Sequence, residues 1–132
     1  MHASSVIVLF FGALASAQIL QGFPSSISCK QDAGGSAEVT KAEMQAAIVG
    51  PKGNLEDNSA ANVASGKCSR LSGVPLYTVG AAGKANIGFA YDKAKDTYHY
   101  CFAQGAVDKT IGYPSQCEET GAVARLRRAF RA

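Results

Sequence analysis

The chain has 132 residues, 47% of them hydrophobic and 17% charged, with 14 Gly, four Cys and no Trp. That length supports one domain and excludes two independent cores; a charged fraction under the globular average of about 25%, with a net charge of only +3, excludes wholesale disorder. Only 10 Phe, Tyr and Met residues lie beyond residue 17, a thin supply for a core of this size, so covalent staples are expected.

Residues 1–17 read as a secretory signal peptide. Val6 to Leu14 is an apolar run too short to span a bilayer, and Ala15-Ser-Ala17 has the small-x-small pattern of a cleavage site before Gln18. No Lys or Arg stands near Met1, so the terminal amine alone supplies the positive end; a buried N-terminal helix is the competing reading. The mature product would be the 115 residues Gln18 to Ala132, soluble and secreted.

Gln18 to Ser28 reads as an extended lead-in. Val39 to Ile48 carries the helix signal: Thr40 and Glu43 have capping-box spacing, and Val39 with Met44 has staple spacing. Met44, Ala47 and Ile48 share a face, and Gly50-Pro51 stops the helix. Lys52 to Lys67 is polar and small-residue-rich, mostly loop with a short helical turn near Asn58–Ala64. The period then changes, and Val74–Val79, Ala85–Tyr91, Thr97–Ala103 and a weaker Lys109–Tyr113 read as strands. If Tyr91 pairs with Thr97 across the Asp92–Asp96 connection, Ile87, Phe89, Tyr91, His99 and Cys101 share one face, and Tyr98, Tyr100 and Phe102 the other. The expected fold class is therefore α+β: one N-terminal amphipathic helix packed on a 3–5-stranded antiparallel sheet, within a domain spanning 18–121.

Residues 122–132 form a basic tail with Arg125, Arg127, Arg128 and Arg131. Those are four of 13 Lys and Arg, which leaves nine against ten acids elsewhere, so the net positive charge belongs to the tail. It reads as a solvated terminus, with contact to an anionic partner or membrane surface as the functional alternative, and Arg127-Arg128 as a dibasic processing site.

Cys29, Cys68, Cys101 and Cys117 all follow the cleavage site, so two disulfides are expected, with three connectivities open. Spacings of 39, 33 and 16 contain no CxxC or CxxH pair, which argues against zinc. The preferred pairing is Cys29 with Cys117, tying the ends of the domain, and Cys68 with Cys101. No metal or cofactor is called for.

Little catalytic chemistry is visible. After cleavage His99 is the sole imidazole, and its place in an aromatic strand favours a packed sheet residue over a catalyst. GxSxG, HExxH, a P-loop and a dinucleotide fingerprint are absent. Asp92 and Asp96 are interleaved by Lys93 and Lys95, which fits a solvated turn better than an acid pair. Tyr98 and Tyr100 are candidate stacking surfaces for a base or sugar, although aromatic residues on a strand more often face a core.

Taken from Cys29 to Cys117, the order of parts resembles the small secreted guanyl-specific fungal ribonucleases, and more so the ribonuclease-like effectors secreted by plant-pathogenic fungi. The parts are an early Cys, a Thr-x-x-x-x-Gln-Ala-Ala helix from Thr40 to Ala47, Pro75-Leu76-Tyr77 at the start of a strand, an aromatic central strand and a late Cys. A killer-toxin-like or other small α/β sandwich is the alternative fold. In the catalytic family a Tyr-Pro-His supplies an acid/base group where Leu76 stands here, and a Tyr-Tyr-Glu supplies the base where Tyr98-His99-Tyr100 stands. Lys109 is the nearest counterpart of the family's phosphate-binding Arg, and no later His follows. Attack by a 2′-hydroxyl needs one group to take a proton and another to give one, and these positions do not supply the pair.

The resemblance thus implies a monomeric, non-catalytic virulence effector that binds a host protein or RNA, acting outside the fungal cell or after translocation into the host. Two alternatives stand beside it: a secreted ribonuclease using His99 with an unrecognised carboxylate, and a cell-surface or cell-wall structural protein.

Overall fold

The computed structural model describes residues 18–63 and 67–121, so the expected signal peptide at 1–17 and the tail at 122–132 lie outside the described residues. The elements are β1 (Ile19–Gln21), β2 (Ser26–Lys30), β3 (Ser36–Thr40), α1 (Lys41–Ile48), β4 (Asn54–Asp57), β5 (Leu76–Ala81), β6 (Ala85–Asp92), β7 (Thr97–Asp108), β8 (Tyr113–Gln116) and β9 (Glu118–Thr120), with 3-10 turns at Ala60–Asn62 and Lys93–Lys95.

The segment read as a lead-in is largely strand. Ser26-Ile27-Ser28-Cys29 alternates polar and apolar, which suits a half-buried strand, and Ile27 and Cys29 are fully buried. Gly34 and Gly35, at φ +102° and +69°, allow the reversal into β3, where Val39 faces Ile27. Thr40 then ends β3 and caps α1. Its hydroxyl accepts the Glu43 N–H at 3.2 Å while the Glu43 carboxylate accepts the Thr40 N–H at 2.9 Å, the reciprocal box its spacing indicated. That backbone hydrogen bond holds the Glu43 carboxyl below its ordinary range, helped by the neighbouring Lys84 ammonium.

The expected fold class is not what forms. In place of one helix on a 3–5-stranded antiparallel sheet, half of the described residues are strand, in two sheets. The larger has six strands in the order β1-β7-β6-β5-β4, with β8 also on β7; it is mixed, because β1 runs parallel to β7. The smaller has the order β3-β2-β9. The eight-residue helix supplies only Met44 and Ile48 as buried side chains. The reason is that several strands are short or polar along their length and are held by distant partners: Ile19 pairs with Thr97 and Ser26 with Thr120. Local periodicity carries no trace of such pairings.

Register also differs by one residue from expectation. Tyr91 pairs with Tyr98, Ala90 with His99 and Phe89 with Tyr100, and a bulge then lets Cys101 pass before Gly88 meets Phe102. Phe89, Tyr91, Tyr98 and Tyr100 therefore line one face together. There Phe89, Tyr98 and Tyr100 join Ile27, Val39, Met44 and Ile48 in a core shared by both sheets and the helix. The opposite face of the large sheet has its own apolar cluster: Leu76, Ala90 and Cys101 under Ala60, Cys68, Val63, Leu71 and Val74 of the 58–75 connection.

Both disulfides form with the preferred connectivity. Cys29 bonds Cys117 and Cys68 bonds Cys101, with Cα separations of 4.4 Å and 5.1 Å. The first ties β2 to the short link between β8 and β9; the second pins the 58–75 connection to β7. Such bonds persist in an oxidising compartment. Among the described residues, no helix is long and apolar enough to cross a membrane.

Candidate functional site

The residues singled out from the sequence are not gathered into one site. Tyr98 and Tyr100 are 2% and 3% exposed. The Tyr98 ring packs on Tyr91 at 4.5 Å and Phe89 at 5.9 Å, and its hydroxyl accepts the Gly50 N–H at 2.9 Å. The Tyr100 ring meets Phe23 edge-on at 5.3 Å, with the Lys67 ammonium 5.1 Å from its centroid. Burial, and then the charge of Glu119, push its phenol well above the ordinary tyrosine range. Lys67 in turn pairs with Glu119 at 2.6 Å. These two rings are structural members of the core and leave no face for a base or sugar to stack on. Arg125, Arg127, Arg128 and Arg131 lie outside the described residues.

His99 faces away from those tyrosines, in a row with Ala90 of β6. Partial burial lowers the pKa of its imidazole, with Asp92 opposing the shift and Lys95 adding to it. The same row continues from Ala90 to Leu76 on β5, so the two positions that stand for the family's acid/base groups do lie on one sheet face. That face is occupied. Leu76 is 2% exposed, and the 58–75 connection, held in shape by Ala60 N–H to Val74 C=O at 2.7 Å, is fastened over it by the Cys68–Cys101 bond and by Lys67 N–H to Cys101 C=O at 3.0 Å. Lys109, the counterpart of the phosphate-binding Arg, is exposed in the β7–β8 turn. Among the described residues, no group of three or more His, Cys, Asp and Glu could hold a metal ion.

The open site lies elsewhere, where β5 begins and β6 ends. A groove of about 530 Å³ is lined by Pro51, Val74, Pro75, Tyr77, Tyr91 and Ala94, with Asp92 and Lys93 contributing polar groups. Its walls are fixed before any ligand arrives. Tyr77 stacks on Phe89 at 5.4 Å with planes 14° apart, and the Tyr91 N–H binds the Pro75 carbonyl at 3.1 Å. The Tyr91 hydroxyl donates to Asp96 Oδ1 at 2.9 Å, and that hydrogen bond is the main cause of a pKa pushed up to about 12. Tyr91 therefore stays a neutral phenol across the physiological range. Rigid aromatic and proline walls with a few polar groups are the make-up of a binding groove. Sequence reasoning missed it because Pro51, Pro75 and Tyr91 come from three separate segments. The one local signal was Pro75-Leu76-Tyr77, read as the start of a strand. Set against protein-family models, curated proteins and solved structures, the chain matches none of them.

Proposed function

We propose that this protein is a secreted, disulfide-stabilised, effector-like module that binds a host protein and does not turn over a substrate, a non-catalytic relative in layout of the ribonuclease-like effectors. The observation that carries this reading is the closed face over Leu76. An apolar side chain sits where an acid/base group would be needed, beneath a connection locked by its own disulfide. Secretion is supported by the apolar leader pattern before Gln18 together with two disulfides.

A protein is favoured over RNA as partner by the make-up of the groove. Its walls are proline, valine and tyrosine, and Lys93 is balanced by Asp92, whereas RNA recognition relies on a basic surface with free aromatic faces. The test is photo-crosslinking from a reactive side chain placed at Ala94, in the groove, with the folded oxidised protein in host extract. The expected result is one dominant protein adduct that an excess of the natural chain competes away and an excess of the Ala94→Arg variant does not. Recovery of RNA in place of protein, or an adduct that the Ala94→Arg variant competes away as well as the natural chain does, would overturn the reading.

A further inference from the structure

The groove at Tyr77 and Tyr91 has walls whose backbone is already committed. Leu76 pairs with Ala90 and Tyr77 with Phe89 across β5 and β6. The Pro75 carbonyl accepts the Tyr91 N–H at 3.1 Å, and the Val74 carbonyl accepts the Ala60 N–H at 2.7 Å. Pro51 and Pro75 have no N–H to offer. β4, the edge strand of that sheet, contributes none of the lining residues. A segment entering the groove therefore cannot be held by lengthening the sheet.

Two polar side chains in the walls are left open. Among the described residues the hydroxyl of half-buried Tyr77 has no hydrogen-bond partner, in contrast to Tyr91, whose hydroxyl is committed to Asp96. Asp92 is also half-buried, and its carboxylate makes no ion pair or hydrogen bond among the described residues. Lys93 beside it is exposed and forms no ion pair with it, so the two charges cancel in sum without meeting.

We propose that the groove takes a proline-rich segment of its partner in the polyproline II form, with a Lys or Arg at one end set against Asp92, an inference that rests on the groove being a protein-binding site. A polyproline II segment makes no internal hydrogen bonds, so its carbonyls are free to accept from the Tyr77 hydroxyl. An α-helix has consumed all but its last carbonyls, and a strand needs a ladder that these walls do not provide. Proline rings pack on aromatic faces, and both rings here are held from behind: Tyr77 by Phe89 at 5.4 Å and Tyr91 by Tyr98 at 4.5 Å. With both partners stiff, docking orders little that was free before. The cation follows from charge complementarity. A half-buried carboxylate without a partner gains more from an incoming cation than a fully solvated one does, while Lys93 keeps its ammonium in water on a long stem.

The test is fluorescence polarisation with the folded, oxidised protein and labelled synthetic peptides built on a Pro-Pro-Leu repeat, one carrying Arg at its amino end and one at its carboxyl end. At least one should bind, and its counterpart with Gly in place of each Pro should not. Tyr77→Phe keeps the stack on Phe89 and removes only the hydroxyl; it should weaken binding roughly three- to tenfold, the loss of one hydrogen bond. Asp92→Asn should abolish the preference for Arg over Glu at the end of the peptide and leave the dependence on proline intact. Matching unfolding temperatures of the variants keep the comparison clean. The proposal is overturned if neither peptide binds, if the Gly counterparts bind as well, or if Tyr77→Phe and Asp92→Asn both behave as the natural chain does. The Ala94 crosslink separates that failure from failure of the groove itself. A specific adduct whose attached partner segment, read by mass spectrometry, lacks proline overturns the polyproline II assignment and leaves the groove standing, whereas an adduct that Ala94→Arg competes away overturns both.

Discussion

The two disulfides have different duties, and removing each should reveal them. Replacing Cys29 and Cys117 by Ala opens a loop whose ends are 88 residues apart, and replacing Cys68 and Cys101 opens one of 33. Loop-closure entropy then assigns about 4.6 kcal/mol to the first and about 3.7 kcal/mol to the second, a gap of about 0.9 kcal/mol. Either loss is comparable to the total stability of a domain with so few large core residues. Urea unfolding of the two double variants should therefore rank Cys29/Cys117 as the more damaging. The Cys68/Cys101 variant should also change locally. Without that bond, the connection over Leu76 is held by hydrogen bonds such as Lys67 N–H to Cys101 C=O and by packing in the second apolar cluster. Amide exchange at Ala60, Lys67 and Leu71 should quicken well beyond the global unfolding rate, a sub-global opening confined to that face. Equal protection of these amides in both double variants would refute the assignment of the Cys68–Cys101 bond as the lock on that connection.

Three further outcomes are expected. Gly105→Ala would bring a methyl group to 2.6 Å from the Lys30 carbonyl and 2.8 Å from its amide; since backbone cannot swing aside, a loss of about 1–3 kcal/mol should appear in denaturant unfolding, and a neutral result would mean the sheets do not meet there. Thr40→Ala removes the helix cap and should cost about 1 kcal/mol, while Thr40→Ser should retain most of it; equal loss in both would argue against a hydroxyl cap. Tyr91 keeps its proton longer folded than unfolded, so its stabilisation is present below the free tyrosine value of about 10 and is lost as pH rises through about 12. Tyr91→Phe should flatten that alkaline decline relative to the natural chain, and identical pH–stability curves would count against the Tyr91–Asp96 hydrogen bond.

How much of this was legible in the sequence depended on how local each feature is. The Thr40 and Glu43 box is written in four consecutive residues and formed as expected, as did the stop at Gly50-Pro51. The strands through Leu76–Ala81, Ala85–Asp92 and the first half of β7 follow from β-branched and aromatic enrichment. What failed was pairing at a distance. Nothing near Ile19 announces that it lies beside Thr97, and nothing in Glu118-Glu119-Thr120 announces a strand against β2. The same limit explains the register: the hairpin closes through a 3-10 turn ending at Asp96 in the left-handed region, φ +46°, and this moved Tyr91 from Thr97 to Tyr98. The consequence for function was direct, because that shift placed Tyr98 and Tyr100 beside Phe89 in the core. The groove, assembled from three segments, and the β7–β8 ribbon, where Lys109–Tyr113 was read as a weak strand, were both beyond local reasoning.

The central claim is that the face bearing Leu76 and His99 supports no turnover. The most direct measurement is RNA cleavage by the purified, oxidised protein beside its His99→Ala variant, at matched concentration and across the pH range in which a histidine titrates. The account predicts that neither yields products above the protein-free control. Cleavage by the natural chain that vanishes in His99→Ala would contradict it and make His99 a catalytic residue.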